Sequence, residues 1–130
     1  MKRFLIAAAL VGGAIVTTNS AFAHHSFAAF DLDSQKTATG KVSRVDWTNP
    51  HIWIWMDVPN DKGGTESYGF EGMSPNYLSR RGWTRTTLKV GDTITVTYRP
   101  LRDGRNGGMF LSTKTADGTV LTMGGGEKQP

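Results

Sequence analysis

The chain carries three histidines, His24, His25 and His51, and the first two stand where chemistry is easiest to build. They directly follow Ala21-Phe22-Ala23, a small-x-small signature of the kind that signal peptidase reads. Cleavage after Ala23 makes His24 the first residue, with a free amine and an imidazole a few bonds apart, both able to hold one metal ion. His51 or His25 then supplies a third nitrogen. This T-shaped set, a histidine brace, suits copper, with zinc the weaker alternative. A cut one residue earlier puts His25 third from the free amine, and backbone amides plus imidazole again wrap Cu(II) in a square plane. With no cysteine in the chain, a tight transition-metal site has only imidazole, the terminal amine, carboxylates and methionine sulfur to draw on. The competing reading is plain: paired histidines favour processing, and His51, after Asn49-Pro50, hydrogen-bonds its turn and orients the hairpin.

A second constellation is aromatic. Trp53 and Trp55, with Trp47, Tyr68 and Phe70, form either a binding platform for sugars, quinone-like rings or single-stranded nucleic acid, or simply the core of a small domain. Arg99, Arg102 and Arg105, with Arg80, Arg81 and Arg85, make either a basic rim or a solvated loop beside a capped helix. The sequence has no glycine-rich phosphate loop, no histidine pair at helical spacing and no serine nucleophile elbow. Asp46, Asp57, Glu66 and Glu71 fall on expected strands, in a chain too short for a deep hydrolase cleft.

What precedes His24 reads as a leader. Lys2 and Arg3 open it, residues 4–16 are apolar, and Thr17, Thr18, Asn19 and Ser20 break the stretch below the length a bilayer span requires. Residues 1–23 are therefore expected to be a cleaved signal peptide, the mature protein periplasmic or secreted and without a stable membrane anchor. Two of the 15 basic residues leave with the leader, so the net charge falls from +4 to +2. That imbalance is too small to argue for nucleic acid. The expected partner is a metal ion or another periplasmic protein, and the oligomeric state is open. Residues 24–39 read as an N-terminal arm, 40–123 as one β-barrel domain and 124–130 as a disordered tail.

The elements that must position these groups are strands. Gly40 opens a first strand over 41–47, in which Val42 and Val45 are out of phase for a period of two, predicting a bulge. After Thr48-Asn49-Pro50, residues 51–58 alternate, with Trp53 and Trp55 on one face and Ile52, Ile54 and Met56 on the other. Turn residues 59–65 lead to a third strand over 66–73. Ser74 caps a short helix with Pro75 at its first position, and Gly82 ends it so that Trp83 packs back on Leu78 in a Schellman cap. Strands over 93–99, 109–115 and 120–123 follow. This order predicts a mainly β fold, a small five- to six-stranded OB-like Greek-key barrel with one short helix between strands three and four; the alternative is a small β-sandwich.

The strings Ala23-His24-His25-Ser26-Phe27 with Phe30 and Asp31, Gly40-Lys41-Val42, Trp47-Thr48-Asn49-Pro50-His51, Ser74-Pro75 with Leu78, Gly82-Trp83, Gly91-Asp92, and Asp103-Gly104 with Gly108 are also informative as a set. Together they resemble a bacterial family of short exported proteins of unassigned function. The resemblance implies export and a compact β domain and transfers no activity. From the side chains, the expected function is copper binding through His24, His25 and His51, for handling or delivery. A metal-free interaction module using the tryptophan hairpin and a small copper-dependent oxidoreductase are the alternatives.

Overall fold

The computed structural model describes residues 27–123. The leader, His24, His25 and the tail over 124–130 lie outside the described residues. The elements are β1 (Lys36–Asp46), β2 (Trp53–Pro59), β3 (Thr65–Glu71), α1 (Pro75–Ser79), β4 (Thr93–Pro100), β5 (Gly107–Thr115) and β6 (Val120–Thr122). The sheet runs β3-β2-β1-β4-β5-β6, and a further pairing of β3 with β5 closes five strands into a barrel, leaving β6 as an added edge strand. Strand order and helix position are those of the expected OB-type barrel, with all pairings antiparallel except the closing one.

β1 is long because it serves two neighbours. Lys36 to Lys41 pair with β4 and Lys41 to Asp46 with β2, and the expected bulge shifts the register between Val42 and Arg44. The strand starts earlier than the sequence reading placed it. Gly40 is internal, since a Cβ there would stand 2.3 Å from the Asp57 carbonyl oxygen, where β2 crosses. Residues 36–39, expected in the arm, thus belong to the barrel wall, where Thr39 and Thr95 hydroxyls bond across strands at 2.8 Å.

Ile52, Ile54, Met56, Phe70, Ile94, Val96 and Phe110 fill the interior at 0–2 % exposure. α1 adds the fully buried Leu78 to this core. The Ser74 hydroxyl accepts from the Tyr77 N–H, and the Schellman pair is complete: Trp83 N–H donates to the Leu78 carbonyl at 3.1 Å and Gly82 N–H to Ser79 at 3.2 Å. Trp83 is thereby turned inward, edge-on to Phe110, its indole N–H donating to the Thr122 carbonyl at 3.2 Å.

Closure of the barrel rests on glycine. Gly69 faces Gly107 in the parallel β3–β5 pairing, and a Cβ on Gly107 would lie 2.0 Å from the Gly69 carbonyl oxygen, at a φ of +109°. Gly107→Ala should therefore add left-handed strain to a backbone clash and cost ~2–4 kcal/mol. Gly63→Ala, with φ +80° but nothing within 4 Å, carries only the conformational part, ~1 kcal/mol. Urea unfolding of the two variants measures the difference, and equal midpoints would refute this account of the seam.

Candidate metal and ligand site at the barrel seam

His51 is set in place by the open end of the β2–β3 hairpin. The ladder continues beyond the strands, with Gly72 N–H donating to the Ile52 carbonyl at 2.9 Å and Ile52 N–H to Met73 at 3.1 Å, so His51 emerges beside Gly72. The Asn49–Pro50 peptide that leads into it is cis. His51 Nδ1 lies 2.9 Å from the Gly72 carbonyl oxygen and 3.0 Å from Glu71 Oε1. A carbonyl only accepts, so Nδ1 carries the proton, and in the neutral ring Nε2 then keeps its lone pair. Metal-binding histidines are commonly held this way, the second nitrogen donating to a carboxylate or carbonyl. His51 thus bonds across the hairpin to β3 rather than within its own turn, the alternative that the sequence offered.

The ring stands at an apolar pocket of about 160 Å³, lined also by Phe27, Phe30, Met73, Met109 and Met123. The N-terminal arm is part of that wall. Phe30 forms a bridge with Leu101 and is 4 % exposed, Asp31 N–H donates to the Pro100 carbonyl at 2.9 Å, and Arg102 N–H donates to Ala29 at 2.9 Å. A tight turn follows. Asp31 accepts from the Ser34 hydroxyl and the Asp33 N–H, and these bonds hold its carboxyl below the usual range.

Trp53 and Trp55 form a second, open groove of about 670 Å³ on the outer face of the same seam. Their rings stack at 5.5 Å and 18°. Trp55 lies flat on Gly69, where a Cβ would come within 2.7 Å of its Cζ3. Its indole N–H donates to Asp46 at 3.0 Å, and Arg44, paired with that carboxylate at 3.1 Å, sits 4.8 Å above the ring. Ser67, Glu71, Arg105 and Asn106 edge the groove. Arg105 is braced by Asp103 at 2.7 Å, and Asn106 donates to Glu66 at 3.1 Å.

Of the residues singled out in the sequence, Trp53 and Trp55 therefore share a half-exposed outer face while Phe70 is in the core. His51 is at the pocket, and His24 and His25 lie outside the described residues. Among the described residues no three His, Cys, Asp or Glu side chains gather as a metal site. The arginines do not converge into one rim: Arg81 stacks on Tyr77 at 3.5 Å and Arg99 donates to the Ser34 carbonyl. Sequence reasoning did not find the role of Glu71, which touches both cavities, nor the grouping of Met73, Met109 and Met123. The only local signal was that Glu71 and Met73 flank Gly72 at the end of an alternating strand.

Among the described residues no helix is long and apolar enough to cross a membrane. The model of a family of unknown function, DUF6152, matches residues 13–112. No curated protein and no solved structure matches the chain.

The tautomer of His51 is directly observable. Long-range ¹H–¹⁵N correlation at pH 8 should show a protonated Nδ1 and an unprotonated Nε2, and Glu71→Gln should leave that assignment unchanged because the Gly72 carbonyl still accepts. A dominant Nε2–H form would refute the geometry.

Proposed function

We propose that this chain, which belongs to the family of unknown function just described, is an exported β-barrel protein that binds copper through its processed terminus and His51. The observation that carries the reading is the His51 ring, with Nδ1–H committed to Gly72 and Glu71 and Nε2 left as a donor. The arm supports it. Phe27 and Phe30 line the His51 pocket, and His24 precedes Phe27 by three residues, a distance of at most about 10 Å of extended chain. The proposed brace would join the His24 amine and ring to His51 at this pocket. Binding and delivery of the metal ask for nothing beyond this ligand set.

Intact mass of the exported protein should give His24 as the first residue and one copper per chain. Titration with Cu(II) should show submicromolar binding that His24→Ala and His51→Ala each weaken by roughly tenfold or more. No binding by the parent, or unchanged binding by His24→Ala, would remove this reading.

The tryptophan groove favours a second reading, a glycan-docking module. Two stacked, nearly parallel indoles, one locked on Gly69 and held by Asp46, give a rigid apolar surface, and Ser67, Glu71, Arg105 and Asn106 provide donors and acceptors at its edge. Flat apolar faces with polar rims match the C–H faces and hydroxyls of sugar rings. Neutral oligosaccharides should quench or shift tryptophan emission in the parent, and Trp53→Ala should abolish the response while the fold, read by far-UV circular dichroism, persists. No response to any of a panel of glucans, xylans and peptidoglycan fragments would count against it.

A further inference from the structure

We infer that the pocket beside His51 is a thioether-rich Cu(I) site, in which Met73, Met109 and Met123 bind the ion together with His51 Nε2. The inference rests on the copper reading above and adds the oxidation state and the sulfur ligands. The chain has five methionines. Met1 begins the leader and Met56 is fully buried in the barrel core, while the remaining three all line this one pocket. They arrive from three places in the fold: Met73 just after β3, Met109 on β5 opposite Glu71, and Met123 just after β6.

Packing alone accounts for only one of them. Met123 is 7 % exposed, and its methyl lies against Gly72, where a Cβ would come within 2.5 Å of Cε. Gly72 is also the residue whose carbonyl fixes His51. Met73, by contrast, is 37 % exposed and Met109 half-buried, so neither fills a gap in the core, which is the ordinary use of methionine. A flexible apolar side chain left partly open beside an imidazole donor is a soft ligand within reach of a metal.

The chemistry of the pocket selects the valence. Thioether sulfur is neutral and polarizable and favours Cu(I), whereas Cu(II) prefers nitrogen and oxygen in a tetragonal plane. An almost wholly apolar wall penalises a divalent ion more heavily than a monovalent one. One imidazole and two or three thioethers give Cu(I) the three or four soft donors it takes, with Glu71 orienting the ring rather than ligating.

The test uses the exported, processed protein. Cu(I) is delivered anaerobically with excess reductant and its affinity read by competition with a chromogenic Cu(I) chelator; Ag(I) serves as a redox-inert probe, and Cu(II) is titrated separately without reductant. Met73→Leu/Met109→Leu, two volume-conserving changes at partly exposed positions, should weaken Cu(I) binding by roughly tenfold or more while Cu(II) affinity stays within about twofold. In protein labelled at the methionine methyls, Ag(I) should move the signals of Met73, Met109 and Met123 and leave Met56 in place. Parent-like Cu(I) affinity in the double variant, or three unmoved methyl signals at saturating Ag(I), overturns this inference. If Cu(II) still binds in that case, the copper reading survives, whereas loss of both ions in the parent removes the two together.

Discussion

The contact between β3 and β5 is the constraint from which both cavities follow. Two backbones meet at Gly69 and Gly107 with no room for a side chain between them, and the register that results places Phe70 opposite Gly108 and Glu71 opposite Met109. Phe70 points into the barrel, where it packs against Tyr98 at 4.9 Å. Gly69, between Tyr68 and Phe70, presents a bare patch outward, and Trp55 lies on it. Two residues beyond Gly69, the same pairing brings a methionine to the carboxylate that holds His51. A closed barrel has no edge to pair with strangers at this seam, and here the seam also supplies the floor of one groove and a wall of the other.

Local rules were enough for most of the fold. The phase break between Val42 and Val45 marked a bulge, and Ser74-Pro75 with Gly82-Trp83 marked both ends of α1. These are properties of a few adjacent residues, so a linear reading reaches them. Gly40 shows where it fails. A glycine before an alternating stretch looks like a strand start, but its cause lies in Asp57 of β2, which passes too close for any Cβ. The glycine is there for a crossing, and only the three-dimensional pairing reveals that.

The site divides along the same line. His51 and the tryptophan pair stood out by residue type, yet the assignment of the indoles to core or surface needed the seam. Ile52, Ile54 and Met56 claim the interior, and alternation then leaves Trp53 and Trp55 outside. Glu71 was visible as one strand carboxylate among four. Its contact with His51 depends on the hairpin register, which pairs Trp53 with Glu71 and so brings His51, two residues earlier, to the level of Gly72 and Met73. The methionine grouping joins one position on β5 to two just past β3 and β6, the outer two 50 positions apart, and no periodicity encodes it.

Glu71 lines both the apolar pocket and the tryptophan groove, which raises the question of whether one occupant would disturb the other. Two acceptors share the single Nδ1 proton of His51, the Glu71 carboxylate at 3.0 Å and the Gly72 carbonyl at 2.9 Å. A group in the groove that engaged Glu71 would leave the Gly72 carbonyl as an acceptor for Nδ1–H. Groove and pocket thus share one carboxylate, while the Gly72 carbonyl, which lines the pocket and not the groove, gives the ring a second acceptor of its own.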